Sequence, residues 1–317
     1  MIRVLSVLMI FVAVVAEAAP RYWAPASLRP GSVAEAYAWD EAPLAQFTVE
    51  VWRPGAKSPL ASARSIASHT LSGPLARHWS AALVAPDALE APGPVVIRFL
   101  GPGRSVLAEL PSEVAARLFP IEEIPLNGSM SDLREKPDPR KDREAVAIWA
   151  VYQKFDPEFP WPKGPFRLPV PASFARSGQF GDIRLYKYTD GTTSRDYHRG
   201  IDFAVPRGTP VTAPALGTVA LVADRALTGT TVVLEHAPGV YSVYFHLSAA
   251  LVKPGQVVAP GDLIALSGAS GLVTGPHLHW ELRVGGVSVD PDDLVSGGLL
   301  DTATVDAVIS SIEQKRG

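Results

Sequence analysis

Alternation of apolar and polar residues is the dominant pattern along this chain. In Gln46-Phe47-Thr48-Val49-Glu50-Val51-Trp52 and Val95-Val96-Ile97-Arg98-Phe99-Leu100 the apolar side chains recur at nearly every second position. A period of two belongs to a strand with one face buried. Pro30-Gly31, Pro54-Gly55 and Pro102-Gly103 punctuate these runs and predict turns. Short strands spaced by such turns predict a small β-sandwich-like accessory domain over residues 20–125.

The pattern then changes. Residues 126–138 are polar and end in Lys136-Pro137-Asp138-Pro139, which reads as a linker. Arg140 to Lys154 reads as one amphipathic helix with Val146, Ile148, Trp149 and Tyr152 apolar, stopped by Pro157, Pro160 and Pro162. Linker and helix together occupy 126–163. From 164 to 295 short β-rich runs return, among them Thr218–Val222, Thr230–Leu234 and Tyr241–Phe245. Turns at Pro254-Gly255 and Pro260-Gly261 sit between them, so this part predicts a compact antiparallel sheet. A closing helix is expected within 296–317, over Thr302 to Lys315, with Val305, Val308, Ile309 and Ile312 on one face. The fold class expected is therefore mainly β.

The N-terminus has a different pattern. Arg3 precedes an apolar run from Val4 to Val15, broken only by Ser6, and Ala16-Glu17-Ala18 follows. This is the layout of an export signal over 1–19. The run is shorter than the ~20 apolar residues of a spanning helix, so no stable membrane span is expected after cleavage. The expected location is periplasmic or secreted.

Composition narrows the chemistry. Cysteine is absent, so no disulfide and no thiolate nucleophile or ligand is available. The net charge is −3 and no Lys/Arg-rich run stands out, which argues against a nucleic-acid partner. Any metal site has to use His, Asp or Glu.

Five of the seven histidines fall between residues 198 and 279. His277 and His279 are two apart, and on a strand such residues share a face. Gly275-Pro276 fixes the entry to that strand. His198 and Asp202 flank Gly200, where a bend would let both side chains meet one ion. Imidazole and carboxylate are natural zinc ligands, and catalytic zinc commonly has three protein ligands and one open position. His198, Asp202 and either His277 or His279 supply three. The remaining histidine of the pair and His246 would act as proton carriers, since imidazole titrates near neutrality. Spacing alone leaves the choice within the 277/279 pair open. His69 and His78 are lone residues expected to be structural or on the surface.

These residues resemble a family. His198-Arg199-Gly200-Ile201-Asp202, Tyr244-Phe245-His246-Leu247 and Gly275-Pro276-His277-Leu278-His279-Trp280 are similar, in order, to the motifs of LytM-type, or M23, zinc metallopeptidases. Phe180-Gly181-Asp182-Ile183-Arg184 resembles a stretch upstream of the first motif. The resemblance covers roughly residues 164–292. It implies Zn²⁺ held by His198, Asp202 and His279, with His246 and His277 as the catalytic pair. It implies an open groove over the metal and hydrolysis of the peptide part of peptidoglycan. Which of His246 and His277 is the base stays open, as does Arg184, which either holds a substrate carboxylate or forms a structural ion pair. Where relatives often have Asp-His-Gly, this chain has Glu235-His236-Ala237, so His236 is expected to be structural. The alternative function is a catalytically inactive LytM-like module that binds or activates other wall hydrolases; it is disfavoured because all five residues are present. A carrier-type β module would leave the histidines unexplained. The 20–125 region carries no recognisable motif and is a candidate surface for a regulatory partner.

Overall fold

The computed structural model describes residues 20–71, 77–162, 164–299 and 302–314. The expected export signal at 1–19 lies outside the described residues. The described chain is mainly β. It divides into two compact units: one holds the described residues up to Pro30 with Ala34–Pro86 and Glu90–Ala116, the other Gly31–Val33, Asp87–Leu89 and the described residues from Arg117 onward.

The first unit has two sheets. One orders Arg21–Trp23, Ala34–Asp40, Arg77–Val84 and His69–Leu71. The other orders Ser27–Leu28, Val106–Val114, Gly93–Leu100, Thr48–Trp52 and Ala61–Arg64. Period-two alternation explains the packing. Ala36, Ala38, Ala82 and Val84 from the first sheet meet Val49, Val51, Ile97 and Phe99 from the second in one buried cluster. Antiparallel register sets Val49 opposite Phe99 and Val51 opposite Ile97. Such cross-strand apolar pairs stabilise a sheet face. Glu50 is buried on the opposite parity, where it accepts from Trp52 Nε1 at 2.8 Å and from Arg104 at 3.0 Å. His69 stacks against Trp79 and His78 lies beside Thr70, so neither belongs to a catalytic cluster.

In the second unit a long antiparallel sheet runs in the order Arg176–Gly178, Ile201–Phe203, Leu278–Val284, Val240–Leu247, Gly229–Ala237, Gly217–Arg225 and Val257–Val258. Val287–Val289 also pairs with Leu278–Val284. The Leu278–Val284 strand is therefore central. A separate three-stranded sheet joins Ile121–Pro125, Ile183–Lys187 and Thr193–Tyr197, the first pair parallel.

Two helical stretches differ from expectation. The polar 126–138 segment contains a helix, Gly128–Glu135, capped by Asn127 Oδ1 accepting from Met130 N. Its composition carries little helix propensity; docking decides it. Ser131 is buried, and Arg134 lies 3.7 Å over the Tyr186 ring and donates to Tyr188 Oη. The next helix is Pro139–Tyr152, with Asp138 at the N-cap and proline in its first turn. Its buried face is Ile148, Val151 and Tyr152, packed on Val233, Tyr241, Val243 and Phe245. Val146, expected on that face, is 71 % exposed, and Trp149 is only half-buried. Near the C-terminus Thr302–Gln314 is helical with Val305 and Ile309 buried, while Lys315 lies outside the described residues. No helix among the described residues is long and apolar enough to cross a membrane.

Candidate metal centre

Strand register brings the distant motifs together. Asp202 on Ile201–Phe203 sits opposite His279 on the central strand, and Phe245 sits opposite His279 from the other side. His198 lies one turn before Asp202, and Gly200 between them is where the strand passes closest to its neighbour. A Cβ there would fall 2.2 Å from the Trp280 carbonyl oxygen, so close approach requires glycine. Gly178 does the same beneath the site: a Cβ would meet Arg184, Asp202 and His198 at 2.9–3.0 Å.

His198 Nε2, Asp202 Oδ1 and His279 Nδ1 converge. The separations are 3.0 Å between the two nitrogens, 3.1 Å from His198 Nε2 to Asp202 and 2.7 Å from His279 Nδ1 to Asp202. All three residues are buried. Their outer hydrogen bonds assign the tautomers. A carbonyl oxygen only accepts, so His198 Nδ1–H donates to Gln179 O at 2.8 Å and leaves Nε2 with its lone pair inward. His279 Nε2–H donates to Glu281 Oε1 at 3.0 Å, which turns its Nδ1 lone pair inward. Three acceptor atoms facing one another in a buried site repel unless a proton or a metal cation lies among them. Two imidazoles and a carboxylate, each oriented by an outer partner, are the donor chemistry of a metal-ion site.

Charge around the site is arranged for the same end. Arg184 donates to Asp202 Oδ2 at 2.7 Å, so the sequence alternative of an ion pair is the one observed, and its partner is a candidate ligand. Burial opposes ionisation of Asp202, but the adjacent His279 and His198 outweigh it and hold the carboxyl well below the usual range. Burial also pulls on His279, yet Asp202 and Glu281 carry it up to about 9. For His198 burial prevails over the pull of Asp202, and its pKa is lowered.

His246 and His277 stand beside this triangle. Their ring centroids are 4.8 Å apart, and His277 Nε2 is 3.7 Å from Asp202 Oδ1. His246 Nδ1–H donates to Ser270 O at 2.8 Å and His277 Nδ1–H to Gly275 O at 2.9 Å. Both therefore keep an unprotonated Nε2, able to take a proton. Burial, then the neighbouring His279 and His277, push His246 down to about 3. Its backbone is left-handed, with φ of 60°, a conformation uncommon for a non-glycine residue and found at functional sites. His236 is elsewhere, buried between Leu216 O and Ser242 Oγ.

Sequence reasoning missed two residues behind the site. Glu281 is buried and accepts from both His279 and Arg283, the latter at 2.8 Å. Arg283 in turn donates to Gly286 O and covers the Tyr152 ring. The signal was available: residues 277, 279, 281 and 283 share strand parity.

Residues 196–291 match the model of peptidase family M23. A metalloprotease of Haemophilus influenzae whose function is uncharacterised is 45% identical over 130 residues, which is 41% of this chain and 27% of that one. The peptidoglycan DD-endopeptidase ShyA of Vibrio cholerae is 42% identical over 124 residues, 39% of this chain and 28% of its own length. The chain thus spans little more than a quarter of these curated relatives. Among solved structures, a Pseudomonas aeruginosa protein assigned to peptidase M23 aligns with a TM-score of 0.51 and 26% identity, covering 86% of this chain and 95% of that one.

Proposed function

We propose, from the match of residues 196–291 to peptidase family M23, that this chain is a zinc-dependent endopeptidase cutting peptide bonds in peptidoglycan cross-links. His198, Asp202 and His279 are the assigned ligands and His246 and His277 the catalytic pair. The observation that carries this reading is the convergence of three acceptor atoms within 2.7–3.1 Å, with two further Nε2 lone pairs at their side. The similarity to a DD-endopeptidase supports the substrate class.

A bound zinc supplies Lewis-acid polarisation of the scissile carbonyl and a lowered pKa for water. The residues of this chain do the rest. Asp202 and Glu281 keep negative charge against the imidazoles, and Arg184 balances Asp202. His246 or His277 takes the proton from the attacking water at its Nε2. Once that histidine carries the proton, its Nε2–H can hydrogen-bond the carbonyl oxygen as negative charge develops there and then pass the same proton to the departing amine. Because His246 is pushed down to about 3, it is a neutral acceptor throughout the neutral range. Peptidoglycan lies outside the cytoplasmic membrane, so this function requires export, to which residues 1–19 are assigned. The inactive-module alternative has no support in the site, since no donor is missing. The first unit contributes none of the five residues and is left to positioning or regulatory contacts.

The test is incubation of the purified protein with sacculi, with and without a chelator. The expected result is release of uncross-linked stem peptides, abolished by chelation and restored by Zn²⁺. His279→Ala should lose metal and activity together. Intact cross-links under every metal condition would overturn the proposal.

A further inference from the structure

A cavity of about 250 Å³ opens between the Gly128–Glu135 helix and the loop that precedes His277. Asn127, Ser129, Met130 and Leu133 form one wall; Gly271, Leu272 and Val273 form the other. The first wall lies upstream of the residues matched by the family model.

Both walls are held rigid. Ser131 Oγ accepts from Thr189 N, Leu126 N donates to Lys187 O, and Arg134 reaches Tyr188 Oη. These bonds fix the helix on the Ile183–Lys187 and Thr193–Tyr197 hairpin. On the other side Leu272 N donates to Leu227 O, and a Cβ on Gly271 would meet Gly229 N and Leu227 O at 2.5 Å. That loop is also tied to the catalytic pair. Ser270, whose carbonyl orients His246, immediately precedes Gly271, and His277 closes the same loop. The loop that forms the second wall is therefore the one whose backbone positions both histidines.

None of the seven lining residues is ionisable, and the contacts offered are aliphatic, a thioether and two short polar groups. Met130 adapts to irregular shapes. The volume falls just below the ~300–1,000 Å³ of small-molecule sites, which suits a short peptide rather than a glycan strand. We propose that this groove is a substrate subsite that holds one arm of the scissile peptide, an extended segment with small uncharged side chains. The proposal rests on the endopeptidase reading above. In it, residues 127–133 are specificity-determining although they lie outside the catalytic motifs.

The experiment fills the groove from each wall in the full chain, with Leu133→Trp and Val273→Trp. Cleavage of a purified cross-linked muropeptide dimer is followed over a range of substrate concentrations, with metal content and melting temperature measured for each variant. Loss of binding shared by ground and transition states raises KM rather than lowering kcat. KM should rise about tenfold, kcat should change far less, and metal content should stay at the wild-type level. Leu118→Trp, at a residue 95 % exposed, controls for an added indole and should leave KM alone. Either wall variant decides if the other fails to fold. A folded, metal-bearing variant with wild-type KM overturns the subsite, as does a fall in kcat alone, which would report displacement of His246 through Ser270. A wild-type protein that cleaves no dimer overturns the endopeptidase reading, and the subsite with it.

Discussion

In the first unit the buried side chains are almost all apolar; Glu50 is its one buried carboxylate among the described residues, and no histidine, lysine or arginine is buried there. The second unit also has an apolar core, but it buries His198, Asp202, His236, His246, His279, Glu281 and Asp290. Apolar burial stabilises in proportion to area and asks little of residue identity. Buried ionisable groups cost free energy unless every partner is in place. A concentration of them is what the proposed function expects of the second unit. The difference extends to single strands: Gly93–Leu100 and Val106–Val114 of the first unit largely alternate, whereas Leu278–Val284 is buried at nearly every position.

Four measurements would break or sharpen this contrast. The largest effect belongs to the proposed catalytic pair. His246→Ala and His277→Ala should each lower kcat by about 10²–10⁴-fold, the usual weight of general acid–base catalysis. Both should retain metal, which elemental analysis checks. Metal loss in either variant would move that residue into the ligand set.

Next comes a substitution in the apolar unit. Phe99→Ala should destabilise the protein by about 3–5 kcal/mol through the cavity it leaves. Denaturant unfolding reads that loss, and metal content at low temperature should not change. Loss of metal would mean that the chemistry depends on the first core.

The third concerns acid sensitivity, expected of the second unit. Burial pushes His236 down to about 4. The folded state disfavours its protonated form, so the unfolded chain takes up that proton first. Stability therefore falls as pH drops from about 6.5 to about 4 and levels off below, a loss of roughly 3 kcal/mol for this fully buried group. Urea midpoints at several pH values should show that slope, and His236→Gln should flatten it. An unchanged slope would mean that His236 titrates normally.

The smallest effects lie behind the proposed ligands. Arg184→Met removes the partner of Asp202 Oδ2, and Glu281→Gln weakens the acceptor that turns His279. Each should reduce metal affinity by about 10–100-fold, the usual cost of losing an outer partner of a ligand. Competition with a chromogenic chelator measures it. Wild-type affinity in both would reduce these bonds to packing.

Much of this was legible before any coordinates. The period-two runs Gln46–Trp52 and Val95–Leu100 predicted strands, observed as Thr48–Trp52 and Gly93–Leu100, because alternation is a local property of one strand. The polar 126–138 stretch read as a linker because its helix is stabilised by Arg134 and Ser131 docking on residues some 50 positions away. Val146 was assigned to the buried face because periodicity gives a helix stripe only to within a residue or so, and contact with Tyr241 and Phe245 chose Ile148, Val151 and Tyr152.

By itself the sequence determined the mainly β character, the five candidate residues and their order, since ordered motifs and strand parity are written in one dimension. Only the tertiary structure decided how they meet. The 202–279 and 245–279 registers, the closeness demanded at Gly178 and Gly200, the inward lone pairs set by Gln179, Ser270, Gly275 and Glu281, and the Arg184–Asp202 pair all depend on partners far apart in the chain. A hydrogen bond chooses a tautomer and a neighbouring charge moves a pKa only across a few ångströms, and those distances exist only in the folded chain.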